Sequence, residues 1–178
     1  MAFLPAEYPR VINHVGLNVR DLDKVVEWYK NTLGFTVILG PVTIEADDSP
    51  NGKLATDIYG PEFKRMRIAW MDTGNGVGFE LFEFQEPEVK RPEKEFDFTR
   101  FSFTHISITD PNIEELAARI VETGGKLITS RVWESPEGSG YKVVHCLDPF
   151  GNYIEILSNS FERTLSNWDK LAAMPAKE

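Results

Sequence analysis

The chain has 178 residues, 42% hydrophobic and 26% charged, a globular composition long enough for one substantial core or two small, closely packed modules. A net charge of −9 argues against nucleic acid and anionic membrane as partners and leaves a small or apolar ligand. No apolar run approaches the roughly 18 residues of a membrane span. The opening Met1–Glu7 lacks the basic and apolar stretches of a secretion signal, and the single cysteine, Cys146, forms no intrachain disulfide. Both point to a reducing, cytoplasmic setting.

In chain order, residues 11 to 19 read as a strand. Val11, Val15, Leu17 and Val19 lie on one side, with Ile12, His14, Gly16 and Asn18 on the other. Asp21 is placed to N-cap a helix in which Leu22, Val25, Val26, Tyr29 and Leu33 recur at helical spacing. Gly34 sits where a left-handed C-terminal residue belongs. Phe35 to Leu39 then reads as a second strand, and residues 43 to 64, rich in Asp, Ser, Pro, Asn and Gly, read as a loop insertion. Met66 to Met71 and Gly78 to Phe84 are strands joined through the Asp72-Thr73-Gly74-Asn75-Gly76 turn.

After a charged linker, residues 86 to 100 with Pro87 and Pro92, the design recurs. Phe103 to Ile108 is a strand, Asp110-Pro111 an N-cap with Pro at the first helical position, and Ile113, Leu116, Ala117, Ile120 and Val121 an apolar stripe ended by Gly124-Gly125. His14 and His105 are 91 residues apart, and so are Gly34 and Gly125. A constant offset on one strand-helix-strand frame marks an internal repeat. Residues 131 to 140 form a shorter insertion, followed by strands Tyr141 to Leu147 and Tyr153 to Leu157 around the Asp-Pro-Phe-Gly turn. A tail from Phe161 to Met174 reads as an amphipathic helix with Leu165, Trp168 and Leu171 on one side.

The predicted class is therefore α+β. Two βαβββ modules, residues 10–85 and 101–158, are expected, with 86–100 as linker and 159–178 as a C-terminal helix or tail.

Each module carries a histidine on its first strand and a glutamate on its last: His14 with Glu80, and His105 with Glu155. If Tyr153, Glu155 and Leu157 share one face, Ile154 and Ile156 line the other, and a carboxylate among such neighbours is costly unless paired or metal-bound. A lone strand His or Glu is more often a solvated or satisfied residue, but four in matched positions point to a metal site. Modules packed about a pseudo-twofold axis would bring all four to one divalent ion, Zn, Ni, Co, Mn or Fe. Phe82 and Phe84 share the face of Glu80, and Ser107 that of His105, which makes them candidate substrate contacts together with Asn18, His145, Tyr141 and Trp133. Cys146 has no basic partner near it in sequence, so a nucleophilic role is not expected.

The stretches His14-Val15-Gly16-Leu17-Asn18-Val19, Trp28-Tyr29-Lys30-Asn31-Thr32-Leu33-Gly34-Phe35, Phe79-Glu80-Leu81, His105-Ile106 and Asp148-Pro149-Phe150-Gly151-Asn152-Tyr153-Ile154-Glu155 carry a resemblance. Together they resemble the vicinal oxygen chelate superfamily, which includes glyoxalase I, bleomycin and fosfomycin resistance proteins and extradiol dioxygenases. The resemblance implies that the two modules form cupped eight-stranded mixed sheets around a central cleft. The similarity is strongest to the glyoxalase-like, metal-dependent members, which have both carboxylates. That resemblance implies a metal-dependent isomerase, lyase or epimerase, with proton transfer through a metal-stabilised enolate-like intermediate and Glu155 or Glu80 as base. Bacterial glyoxalase I holds the glutathione carboxylate with an Arg four residues after the first His and an Asn four after the first Glu. Asn18 and Phe84 stand there in this chain, so the implied substrate is a small molecule other than a glutathione conjugate. The alternatives are an Fe(II) extradiol-type dioxygenase and a non-enzymatic antibiotic-binding protein. Relatives of this length commonly pair, so a homodimer is expected.

Overall fold

Residues 9–90, 97–99 and 101–166 are described by the structure, a computed structural model. The chain divides after Lys90 into two compact units. The first holds β1 (His14–Asn18), α1 (Leu22–Leu33), β2 (Thr36–Glu45), α2 (Pro50–Tyr59), β3 (Arg65–Asp72) and β4 (Gly78–Glu86). Its four strands form an open sheet in the order β1-β4-β3-β2, with β1 parallel to β4 and the other pairs antiparallel.

The second unit holds β5 (Ile106–Thr109), α3 (Ile113–Glu122), β6 (Lys126–Leu127), β7 (Trp133–Glu134), β8 (Lys142–Leu147), β9 (Tyr153–Leu157) and a short α4 (Phe161–Leu165). Its order, β5-β9-β8-β6 with β7 also on β8, repeats that of the first sheet, and β5 is again parallel to β9. The expected mixed α+β architecture is thus present twice, with four strands in one sheet and five in the other because the strand after α3 is split into β6 and β7.

Local chemistry explains the elements. Asp21 caps α1, its carboxylate accepting the Lys24 N–H at 3.2 Å. At the other end Gly34 (φ 75) adopts the left-handed conformation that ends the helix. The α1 residues Leu22, Val25, Val26 and Tyr29 are buried, as are Ala69, Met71, Phe79 and Leu81 on the sheet. Ile113, Ala117 and Ile120 of α3 are buried likewise, with Val144, Cys146, Ile154 and Ile156 on the second sheet. Each large aliphatic side chain so buried contributes about 1.5–3 kcal/mol.

Each helix is also tied to its sheet by an ion pair, and the pair is repeated. Asp23 of α1 accepts two hydrogen bonds from Arg67 of β3, at 2.8 and 3.0 Å, and Glu114 of α3 binds Lys142 of β8. Asp23 and Glu114 are 91 residues apart, while Arg67 and Lys142 are 75 apart, as are Glu80 and Glu155. The 16-residue difference between these offsets is the number of residues by which the first unit exceeds the second between its helix and its last two strands.

Four expectations need correction. Residues 43–64 are not a plain loop: β2 continues to Glu45, and Ser49 caps the helix α2, its hydroxyl accepting the Gly52 N–H at 3.0 Å. Ala55 of that helix packs with Phe63 and Met66. Helix α3 starts at Ile113, because Asp110 uses its carboxylate to accept the Asn112 N–H in a preceding turn. Val11 and Ile12, 90% and 70% exposed, lie before β1 and take no part in the core. Val121 is exposed as well. Trp168 and Leu171 of the expected tail helix lie outside the described residues.

Candidate functional site

Strand register decides what meets each glutamate. Gly16 of β1 pairs with Glu80 of β4, so His14, two residues earlier, lies on the same face and reaches Glu80 diagonally. Ser107 of β5 pairs with Glu155 of β9 in the same way, and His105 is again two residues earlier. His14 Nε2 stands 3.2 Å from Glu80 Oε2, and His105 Nε2 stands 3.5 Å from Glu155 Oε2. The sheet therefore makes the same His-Glu pair twice, once in each unit.

The residue just before each histidine orients it. His14 Nδ1 lies 2.8 Å from Asn13 Oδ1, and His105 Nδ1 lies 3.0 Å from Thr104 Oγ1. The Asn13 oxygen can only accept, so it takes the Nδ1 proton and leaves a lone pair on His14 Nε2, facing a carboxylate oxygen. Two acceptors 3.2 Å apart repel unless a cation or a proton joins them. Adjacent donors about 2.1 Å from one ion stand about 3 Å apart at right angles and about 3.4 Å apart at the tetrahedral angle. At 3.2 and 3.5 Å, the imidazole nitrogen and carboxylate oxygen within each unit are spaced like two neighbouring ligands of a divalent ion. Among the described residues no group of three or more His, Cys, Asp or Glu side chains is placed to hold a metal. Each pair thus offers two donors and no more.

A third residue completes each group. Trp70 of β3 pairs with Glu80, and its indole Nε1–H donates to Glu80 Oε1 at 2.6 Å. The same place in the second unit is taken by His145 of β8, whose Nε2 is 3.7 Å from Glu155 Oε1. Burial holds the His145 pKa below its usual value and outweighs the opposing pull of Glu155, while His105 lowers it further. The imidazole is accordingly neutral at pH 7, and its Nδ1 is buried with no hydrogen-bond partner. Tyr153 stacks edge-on to His105 at 5.3 Å and leans on His145 at 5.5 Å. Burial, then Glu155, raises its phenol pKa.

The candidate substrate contacts fall on the same faces. Phe82 and Phe84 stack at 6.2 Å beyond Glu80, and Tyr59 of α2 meets Phe84 edge-on at 4.9 Å. Burial, then Glu80, raises the Tyr59 pKa. Asn18 is exposed at the end of β1, opposite Phe82. Ser107 is exposed beside Glu155. Trp133 is 44% exposed under the Arg131 guanidinium, 4.0 Å from its ring centre. It pairs with Val143, on the face that carries His145. Tyr141 is half-buried at the entry to β8, where its carbonyl accepts the Ser135 N–H.

Sequence reasoning missed Trp70, Asn13, Thr104 and Tyr59. The first follows from register alone: whatever pairs with the glutamate on the antiparallel neighbour touches it. Asn13 and Thr104 carry the same 91-residue offset as the histidines they orient.

The Asp148-Pro149-Phe150-Gly151-Asn152 motif, by contrast, is structural. Buried Asp148 accepts the Phe150 and Asn152 backbone N–H groups at 2.9 and 2.8 Å and the Asn152 amide at 2.7 Å. Gly151 (φ 93) supplies the left-handed turn residue. The motif launches β9 and so fixes where Glu155 falls. Cys146 is fully buried, and burial raises its thiol pKa to about 11, so it is inert.

Two βαβββ units with open mixed sheets and a His-Glu pair on each define a recognisable class of fold. The description Glyoxalase/Bleomycin resistance protein/Dioxygenase superfamily matches residues 11–156, and the chain belongs to that superfamily. Among solved structures, a glyoxalase family protein from Bacillus cereus is 20% identical with a TM-score of 0.70, covering 88% of this chain and 97% of that one. The fosfomycin resistance protein FosX from Listeria monocytogenes, complexed with Mn(II) and 1S,2S-dihydroxypropylphosphonic acid, is 15% identical with a TM-score of 0.56, covering 90% and 99%. Glyoxalase I from Zea mays is 19% identical with a TM-score of 0.56; 84% of this chain spans 44% of that one. At these identities the likeness is one of fold. No curated protein matches the sequence. Among the described residues no helix is long and apolar enough to cross a membrane.

Proposed function

We propose that the chain is a divalent-metal-dependent isomerase, epimerase or lyase of the glyoxalase kind, which moves a proton at the carbon beside a carbonyl group. His14, Glu80, His105 and Glu155 are the proposed ligands of one ion, Zn, Ni, Co, Mn or Fe. The observation that carries this reading is the repeated His-Glu pair, at 3.2 and 3.5 Å, with an imidazole oriented by the preceding residue each time. When bound, such an ion supplies Lewis acidity to two neighbouring oxygens of a substrate.

The protein's own groups do the rest. A glutamate takes the proton from carbon, and its basicity rises as the bound substrate excludes water. Phe82 and Phe84 hold an apolar part of the substrate, and Asn18, Ser107, His145, Tyr141 and Trp133 are further contacts. Asn18 offers no cation and Phe84 no amide for a glutathione carboxylate, so the substrate is another small molecule. That FosX binds Mn(II) and a compound with two neighbouring hydroxyls supports a vicinal pair of oxygens. We further propose a cytoplasmic homodimer.

A second reading has one observation of its own. Glu155 is flanked by two imidazoles, His105 and His145, the residue types with which extradiol dioxygenases hold Fe(II). Elemental analysis and titration of the dialysed protein with Mn(II), Zn(II), Ni(II) and Fe(II) separate the readings. The proposal expects tight binding of one of these ions with no O₂ uptake on a catechol, the binding being lost in His14→Ala and in His105→Ala. Bound iron with O₂ uptake on a catechol would establish the second reading instead, and a wild-type chain that binds none of these ions overturns both.

A further inference from the structure

The two carboxylates occupy equivalent places but have different neighbours, and the difference lies in one residue. Trp70 and His145 are 75 positions apart, the same offset that relates Glu80 to Glu155, and each pairs in register with its glutamate. An indole N–H is a donor only and does not ionise in water, so the 2.6 Å bond to Glu80 Oε1 is permanent and charge-assisted. It occupies one oxygen of Glu80 and leaves the other, Oε2, aimed at His14. In the second unit the imidazole nitrogen at 3.7 Å is too far from Glu155 to hydrogen-bond. His105 at 3.5 Å is at the limit, and among the described residues none matches for the Glu155 carboxylate the bond that Trp70 makes to Glu80.

We propose that Trp70 is a positioning residue that locks Glu80 as a fixed, one-oxygen metal ligand, a restraint that the exchange of indole for imidazole at His145 removes from Glu155. This rests on the metal-dependent reading above and assigns the two matched glutamates different restraint. A ligand that must keep its position gains from a donor that has no second protonation state. The indole supplies the clamp, and its replacement in the second unit removes it.

The test uses the full chain. In ¹H–¹⁵N spectra of the four tryptophan indoles, the Trp70 proton is expected downfield and slow to exchange, shifting upfield in Glu80→Gln and staying put in Glu155→Gln. Trp70→Phe, which keeps a ring and deletes the donor, is expected to weaken Mn(II) binding by about 10- to 100-fold while unfolding stays cooperative. The indole measurement needs no tryptophan variant, so it decides the matter even if Trp70→Phe does not fold. An indole proton indifferent to Glu80→Gln, or undiminished Mn(II) affinity in a folded Trp70→Phe, overturns the proposal alone. A wild-type chain that binds no Mn(II) or other divalent ion overturns the metal reading and this proposal with it, a result plainly different from the other two.

Discussion

The first and second units follow one strand order yet finish their sheets differently. In the first, the outer strand β2 runs ten residues and the chain then adds α2, which brings Tyr59 against Phe84 and puts an aromatic surface beyond Glu80. In the second, the same place holds two strands of two residues each, and the space around Glu155 is filled by His145, His105 and Tyr153. The parts that coincide are those the backbone ladder dictates: the His-Glu diagonal and the helix-to-sheet ion pair. The parts that differ lie at sheet edges and on the neighbouring strand, where a substitution leaves the ladder intact. A duplicated frame can thus keep its ligand positions while its two carboxylates acquire separate chemical characters.

The sharpest way to break this comparison is to neutralise each glutamate in turn. Glu155→Gln is expected to lower proton exchange at the carbon beside the carbonyl of a responsive hydroxycarbonyl compound by about 10²- to 10⁴-fold. Its melting temperature should stay equal or rise, because a largely buried charge is gone. Deuterium exchange followed by NMR reads this, and an unchanged rate removes Glu155 from the site. Next in size are the two hairpin turns. Asp148→Ala loses three hydrogen bonds to a buried carboxylate and should cost about 2–3 kcal/mol. Asn75→Ala, in the exposed turn of the first unit, loses the acceptor for the Val77 N–H and the Thr73 hydroxyl and should cost about 1 kcal/mol or less. Urea unfolding of both variants measures the gap, and equal costs would refute the assignment of the Asp-Pro-x-Gly-Asn motif to structure.

Smaller effects sharpen the same contrast. Cys146, with its thiol pushed up to about 11, should resist iodoacetamide at pH 8 in the native chain and react once unfolded in urea; equal rates would contradict its burial. The helix-to-sheet ion pairs should have the least influence. Arg67 holds the Asp23 carboxyl below its usual 3.8, chiefly by hydrogen bonding. A lowered folded-state pKa adds stability above 3.8 that is lost as pH falls through the lowered value. Asp23 is exposed, so Asp23→Asn should destabilise by less than about 1 kcal/mol at pH 7, with the gap closing towards pH 3. Melting curves across that range check the sign, and a gap that widens on acidification would be the wrong one.

Much of this frame is legible in the sequence, because the repeat puts chemically equivalent residues at constant offsets. The two histidines, and Gly34 with Gly125, are 91 apart and the two glutamates 75 apart, and period-2 alternation correctly puts Ile154 and Ile156 on a buried face. What was not legible has physical causes. Helix α2 contains Asn51, Gly52 and Asp57, poor helix formers, and owes its conformation to Ala55 packing on Phe63 and Met66; the Ser49-Pro50 cap signature was its one local sign. Asp110 bonds its own turn instead of the helix, which an N-cap rule cannot distinguish. Nothing local in the Met66 to Met71 strand marks Trp70, and register alone places it opposite a carboxylate. The candidate contacts around the second unit's short insertion, Tyr141 and Trp133, had no periodicity to locate them.

Gly16 sits between His14 and Asn18 on the face shared with Glu80, and a methyl group added there would lie 3.1 Å from the Phe82 ring. The bare backbone at this spot lets the edge of an aromatic ring approach the first strand. A one-carbon enlargement would push that ring away. Under the proposed function, in which Phe82 holds an apolar part of the substrate, a single methyl at a position with no functional group of its own would change the depth of that contact.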